Sequence, residues 1–158
     1  MNLYEKVIKR FFDLIVSIII LCILSPVVLL IIFALLVIYR GDVFYTQIRI
    51  GKKGNEFKLY KFRTMHKNSN FLLQKYLKEN IQAKIEWEAN QKLSLDPRIT
   101  RVGWLLREYS LDELPQLINI IKGQMSLVGP RPIVENEKDK YKELFYKYIN
   151  VKPGLTGL

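Results

Sequence analysis

Cysteine and histidine each occur once in this sequence, as Cys22 and His66. A single cysteine excludes an internal disulfide and any zinc site built from several thiolates. Its place inside a long apolar run reads as a small buried hydrophobe. A single histidine leaves a histidine-rich metal centre or a histidine-based triad without its parts. Chemistry therefore falls to carboxylates, arginines and lysines. Acidic residues are themselves scarce, 15 against 25 Lys and Arg, for a net charge of +10. The excess is uneven: residues 1–67 carry eleven Lys or Arg against four Asp or Glu, a net +7, and the remainder carries +3. A basic half beside an apolar run points to anionic lipid headgroups or a phosphate-bearing substrate. Nucleic acid would respond to the same bulk charge, but no nucleic-acid-binding module is recognisable, so none is expected as a partner.

The apolar run is Leu14 to Ile38, 25 residues without a formal charge. Crossing a bilayer core takes about 20 residues. A cleaved signal peptide has a shorter apolar region of about 7–15 residues and a small-x-small site, so this segment is expected to stay. Ser25-Pro26 lies at its midpoint. Proline removes a backbone donor and presses on the carbonyl of Cys22, and the Ser25 hydroxyl is placed to satisfy part of the freed backbone. Both flanks are basic, Lys6, Lys9 and Arg10 before and Arg40, Arg49, Lys52 and Lys53 after, so the positive-inside rule gives no asymmetry. Each half, about 12 residues at about 1.5 Å each, falls short of a core about 30 Å thick. Two arrangements follow: a helix that enters, bends at Ser25-Pro26 and returns, or a kinked spanning helix.

Downstream, Val43–Ile50 and Glu56–Phe62 alternate like strands around Gly51-Lys52-Lys53-Gly54-Asn55, which predicts a hairpin. The second strand ends in Lys61-Phe62-Arg63, two cations on one strand face, either a solvated edge or a phosphate clamp. Asn70–Leu93 predicts one helix with the stripe Leu73, Leu77, Ile81 and Ile85. Asp96-Pro97 predicts the start of another, capped by Asp96, with Ile99, Val102, Leu105 and Leu106 inward. Asn136–Tyr148 predicts a last helix whose stripe Tyr141, Phe145 and Tyr148 reads as core.

The most informative stretch is Ser110–Pro132, SLDELPQLINIIKGQMSLVGPRP. Leu114, Leu117, Ile118 and Ile121 mark a helix face, and Gly123 after Lys122 a stop. Ser110 and Glu113 have capping-box spacing, so Asp112 and Glu113 have a plain structural reading at a helix N-terminus. That reading leaves Gly129-Pro130-Arg131-Pro132 unexplained. Two prolines there stiffen the backbone around one guanidinium, suited to bidentate phosphate binding, and Arg107 offers a second fork. A carboxylate pair among arginines suits phosphoryl transfer: one carboxylate attacks phosphorus while cations and Mg²⁺ neutralise the phosphate oxygens. Neighbouring cations and the helix N-terminus are expected to keep Asp112 ionised.

With these residues, Lys9-Arg10-Phe11-Phe12-Asp13, Ser25-Pro26, Val43-Phe44-Tyr45-Thr46-Gln47-Ile48-Arg49, Tyr60-Lys61-Phe62-Arg63-Thr64-Met65, Asp96-Pro97-Arg98-Ile99-Thr100 and all of Ser110–Pro132, the chain resembles the bacterial sugar transferase family, the monotopic polyprenyl-phosphate phosphoglycosyl transferases. The resemblance covers nearly the whole chain. It implies an α+β protein: residues 1–40 a re-entrant membrane helix broken at Ser25-Pro26, and residues 41–158 a small, mostly helical cytoplasmic catalytic domain with a β-hairpin. It implies transfer of a sugar 1-phosphate from a UDP-sugar to undecaprenyl phosphate with release of UMP, the first membrane step in making cell-surface polysaccharide or glycoconjugate. The bacterial inner membrane is the implied location, with the active site on its cytoplasmic face. By carry-over Asp112 is the nucleophile that forms a covalent phosphosugar, and Glu113 assists and shares Mg²⁺ coordination with it. Arg107 and Arg131 fall near the phosphates, and Lys61 and Arg63 form the basic motif after the hairpin. Glu86-Trp87-Glu88 and Arg131-Pro132-Ile133-Val134 resemble the branch using UDP-galactose or UDP-glucose. Membrane lipids are implied partners, and a homo-oligomer stays open. Two departures stand out. Asp42 replaces a common proline, and family members continue past Gly154-Leu155-Thr156-Gly157-Leu158 with further elements and another acidic residue. The chain therefore reads as lacking the C-terminal part of the catalytic domain, and a catalytically silent membrane-bound fragment or anionic-lipid-binding scaffold is the alternative.

Overall fold

The computed structural model describes residues 3–157; Met1, Asn2 and Leu158, and the side chains of Leu3 and Lys6, lie outside the described residues. The first element, α1 (Leu3–Tyr39), is one 37-residue helix with Pro26 inside it. Pro26 has no N–H for the Cys22 carbonyl, and the Ser25 hydroxyl supplies that donor instead, at 2.8 Å. One stripe faces protein: Asp13, Ser17, Ile31, Leu35 and Tyr39 are buried, three to four residues apart or multiples of it. The outward faces are apolar and bare, with Ile23, Leu29, Leu30, Phe33 and Val37 each at least 65% exposed. Cys22 belongs to those faces and is exposed, which corrects the buried reading: only one stripe of α1 meets protein, so apolar character alone did not imply contact.

The expected hairpin is present. Strand β1 (Phe44–Ile50) pairs antiparallel with β2 (Glu56–Phe62), Phe44 opposite Phe62 and Ile50 opposite Glu56. The period of two puts Phe57, Leu59 and Lys61 on one face. Helices α2 (Ser69–Glu79) and α3 (Ile81–Asn90) replace the single expected helix. Asn80 is extended there and caps α3 by accepting from Ala83 N, so the stripe is cut and Ile81 and Ile85 are exposed. Helix α4 (Arg101–Glu108) is capped by Thr100, whose hydroxyl accepts from Gly103 N. Asp96, the expected cap, instead holds Arg98 through both carboxylate oxygens, at 2.8 Å from Nε and 2.6 Å from the terminal nitrogen. Arg98 in turn lies over the Trp87 ring.

A 3-10 turn, Leu111–Glu113, leads to α5 (Gln116–Ile121). Strand β3 (Ser126–Val128) pairs in parallel with β4 (Gly154–Thr156), a contact the sequence did not announce. Between them the expected last helix is two short ones, α6 (Lys138–Tyr141) and α7 (Leu144–Ile149), parted at Lys142 with φ 42. The aromatic stripe nevertheless packs as core: Tyr141 and Phe145 surround Tyr148, which is buried with Ile50 and Ile133.

Two further apolar clusters tie α1 to the domain. Phe57, Leu59, Leu117, Ile120 and Met125 receive Ile20 and Leu21. Val43, Phe62 and Leu106 are buried with Ile31, Leu35 and Tyr39. Polar contacts fasten both ends. Asp13 accepts from Ser126 Oγ at 2.8 Å and from Leu127 N at 3.2 Å, while the Tyr39 hydroxyl bonds Thr100 Oγ1 at 2.8 Å. Helix α5 sits between α1 and β2, and Asn119, with no exposed surface, fixes its level. Its side chain accepts from Tyr60 N at 3.1 Å and donates to Lys58 O at 2.7 Å and Gln124 Oε1 at 2.8 Å. Removing it leaves the Tyr60 N–H and the Lys58 and Gln124 oxygens without their buried partner, so Asn119→Ala is expected to destabilise by about 2–4 kcal/mol. Thermal unfolding in detergent checks this: a midpoint within a degree or so of the parent would contradict it.

Candidate active site

Lys61 is the next residue after Phe57 and Leu59 on the face of β2 that covers α5, so its amine reaches the chain just ahead of that helix. That chain is the Leu111–Glu113 turn. Lys61 Nζ lies 2.6 Å from Glu113 Oε1 and 3.7 Å from Asp112 Oδ2, an ammonium between two adjacent carboxylates. The turn begins at Ser110 in the left-handed region, φ 55, and the Ser110 side chain makes no cap bond. The expected capping box is therefore absent. Asp112 and Glu113 sit in a 3-10 turn before α5, and Lys61 rather than a helix terminus holds Glu113.

Asp112 is buried, and that burial pushes its carboxyl above its ordinary pKa. Lys61 pulls it down, Glu113 pushes it up again and Arg107 pulls it down, in decreasing order of effect. The neighbouring cations expected to keep Asp112 ionised do pull its pKa down, but desolvation is the largest influence and acts the other way.

The arginines reach the site from three directions. Arg107, in the last turn of α4, donates from Nε to Thr64 Oγ1 at 2.9 Å. Thr64 is clamped to α4 by Thr100 N on its carbonyl at 3.0 Å. A Cβ at Gly103 would come within 2.0 Å of that same oxygen, so only glycine permits the approach. Arg63 continues β2 and donates from Nε to Asp42 O at 3.0 Å. Arg131 stands exposed between its prolines, and the Pro132 carbonyl is held by Arg49 at 2.8 Å.

Two open cavities meet at the carboxylate pair. One, about 580 Å³, is lined by Arg63, Arg98, Arg107 and Asp112 together with Lys61 and Glu113. The other, about 360 Å³, is lined by Arg131 and Gln116 and shares Arg49, Lys61 and Glu113 with the first. The six residues singled out from the sequence are shared between these adjoining cavities: Arg63, Arg107 and Asp112 line the larger, Arg131 the smaller, and Lys61 and Glu113 both. Ser25 and Pro26 lie apart from it on α1. Sequence reasoning missed Arg49, Thr64, Gln116 and Asn119. A polar signal was available for Asn119, an amide set in the apolar run Leu117–Ile121, and for Arg49, a cation in an apolar strand.

A carboxylate pair in a cationic cleft, on an α+β domain fastened along a long apolar helix, defines the class of protein. The chain belongs to the bacterial sugar transferase family, whose model matches residues 4–158. It is similar to the exopolysaccharide production protein ExoY of Sinorhizobium fredii (strain NBRC 101917 / NGR234), 49% identical over 150 residues, which cover 95% of this chain and 66% of that protein. It is 47% identical to the undecaprenyl-phosphate galactose phosphotransferase of Salmonella typhimurium over 156 residues, 98% of this chain and 32% of the relative. The UDP-glucose:undecaprenyl-phosphate glucose-1-phosphate transferase of Klebsiella pneumoniae is 40% identical over 161 residues, 100% of this chain and 31% of that protein. The chain thus spans 66% of one relative and about a third of the other two.

Proposed function

We propose that this chain transfers a sugar 1-phosphate from UDP-galactose or UDP-glucose to undecaprenyl phosphate and releases UMP, in the assembly of a cell-surface polysaccharide. The observation that carries the reading is the adjacent pair Asp112 and Glu113 bound to Lys61 inside an arginine-lined cleft. The names of the Salmonella and Klebsiella relatives motivate the choice of donor and acceptor.

In this mechanism an Asp112 carboxylate oxygen attacks the phosphorus that bears the sugar. The new O–P bond forms as the bond to the bridging oxygen breaks, and UMP departs with that oxygen. A phosphate oxygen of undecaprenyl phosphate then attacks the same phosphorus. The Asp112–phosphorus bond breaks, the carboxylate returns, and the lipid carries a sugar diphosphate. Arg107 and Arg131 orient and neutralise the phosphates from opposite sides of the pair, and Arg63 and Arg49 add positive potential. Lys61 bridges the two carboxylates and opposes the rise that burial imposes on the Asp112 pKa.

Mg²⁺ fits this donor set as an open site. No group of three or more metal-binding side chains exists among the described residues, whereas Mg²⁺ on a substrate phosphate needs only one or two carboxylates. Glu113 and Asp112 would hold it, and it would supply charge neutralisation on the diphosphate.

We also propose that α1 is re-entrant and that the domain lies on the cytoplasmic face of the bacterial inner membrane. The support is that Asp13, in the N-terminal half of α1, and Tyr39, its last residue, bond the same charged domain. A bilayer enclosing the whole helix would have to displace those contacts. Single cysteines at Tyr4 and Asp42, in a Cys22→Ser background, are expected to react with an impermeant thiol reagent from the same side of inverted vesicles. Reaction from opposite sides would establish a spanning helix.

The function is tested by UMP release from a panel of UDP-sugars with undecaprenyl phosphate and Mg²⁺. Release is expected with UDP-galactose or UDP-glucose and only with acceptor present for multiple turnovers. A lipid-bound protein that releases no UMP from any donor would be the silent scaffold.

A further inference from the structure

At the end of the hairpin opposite Lys61, cations from three separate stretches of chain converge on the C-terminal end of α5. Arg10 donates to the last carbonyls of that helix, to Ile120 O at 2.6 Å and Ile121 O at 2.7 Å. Lys9 donates to Ser126 Oγ at 2.6 Å and lies 3.7 Å from Asp13 Oδ1. Lys152, two residues before β4, brings its amine to the same place. A Cβ on Gly123 would meet the Arg10 terminal nitrogen at 3.4 Å and Lys152 Nζ at 3.7 Å. Gly123 has φ 80, which suits glycine, so the chain turns there with both cations at contact distance from it. Lys52, in the 3-10 turn of the hairpin, adds a further like charge acting on the Lys152 amine.

The charges are not balanced locally. Among the described residues Asp13 is the carboxylate that acts on Lys152, and both its oxygens are already engaged by Ser126 and Leu127. Among the described residues Lys152 Nζ has no hydrogen-bond or ion-pair partner. Burial, then Arg10 and Lys52, hold its amine below the ordinary lysine pKa. A half-buried cation among cations is stabilised by any anion that enters. The surroundings say which anion. Val7, Phe11 and Phe12, beside Lys9 and Arg10 on α1, are each at least 60% exposed, so bare apolar and aromatic surface continues directly from the cations. Basic side chains next to exposed aromatics are the pattern of a headgroup-level contact.

We infer that Lys9, Arg10, Lys52 and Lys152 form a binding site for the phosphate of an anionic membrane lipid, distinct from the Asp112 cleft. The site fixes the N-terminal end of α1 at headgroup depth and joins it to the hairpin turn and the segment before β4. It does not depend on whether the chain transfers sugars.

The test uses the full chain in nanodiscs of phosphatidylcholine, with and without phosphatidylglycerol, and follows amine acylation site by site by mass spectrometry. Lys53, exposed in the same hairpin turn, is the internal reference. Relative to Lys53, Lys152 is expected to react about fivefold or more slowly when phosphatidylglycerol is present. Inorganic phosphate added to phosphatidylcholine discs is expected to leave it unprotected. The Lys52→Gln variant is expected to weaken the protection at Lys152, a response that simple burial would not give. Equal rates in the two kinds of disc would overturn the site, and protection by inorganic phosphate as strong as that by phosphatidylglycerol would overturn the lipid as its occupant.

Discussion

Asp112→Asn is expected to lower sugar-phosphate transfer by about 10⁴-fold or more while the protein still folds. The amide keeps the shape of the carboxylate but offers no oxygen able to form and release a phosphoryl bond. Its structural loss is small, because the Asp112 contact to Lys61 is the longer of the two, 3.7 Å against 2.6 Å for Glu113. The pKa direction adds a second readout. Burial raises the Asp112 pKa above its unfolded value, so this group's contribution to stability is present below the unfolded pKa and lost as pH rises through the folded one. At neutral pH the ionised group therefore works against folding, and the amide is expected to unfold at the same temperature as the parent or slightly higher. Full transfer activity in Asp112→Asn would remove Asp112 as the nucleophile.

Lys61→Met is expected to reduce transfer by about 10²–10³-fold and to move the acid limb of the pH profile to higher pH. Lys61 exerts the strongest downward pull on the Asp112 pKa, opposing burial and Glu113. Without it, desolvation and the like charge of Glu113 are opposed by Arg107 and a backbone hydrogen bond, so more of the carboxyl is protonated at a given pH. The shift separates an electrostatic role from simple damage to folding. A variant with reduced rate but an unmoved acid limb would show that Lys61 acts on substrate and not on the carboxylates. Lys61→Arg should recover part of the shift, since it restores the charge with a different reach.

How far the sequence could be read depended on how local each cause was. Strand alternation fixed the hairpin, and with it the face on which Lys61 lies. The rigid Gly129–Pro132 loop and the Asp112-Glu113 pair marked both sides of the cleft. Boundaries failed where a nearby residue competed for the same role. Thr100 caps α4 because Asp96 is occupied by Arg98, and Asn80 ends one helix by capping the next. The burial of Asp13 and Ser17 on an otherwise apolar helix, the parallel pairing of two three-residue strands and the raised pKa of Asp112 come from contacts distant in sequence. No local pattern encodes them. Asn119 is the instructive middle case: its polarity in an apolar run was visible, but its partners on β2 were not.

The most direct measurement is the intact mass of the protein after incubation with UDP-galactose or UDP-glucose, with Mg²⁺ and no lipid acceptor. The chain is expected to gain one hexose phosphate, with an equivalent of UMP released, and undecaprenyl phosphate is then expected to remove the adduct. Peptide mapping should place it on Asp112, and Asp112→Asn should gain nothing. Transfer that proceeds with no adduct trapped under quench, or an adduct that persists in Asp112→Asn, would contradict it.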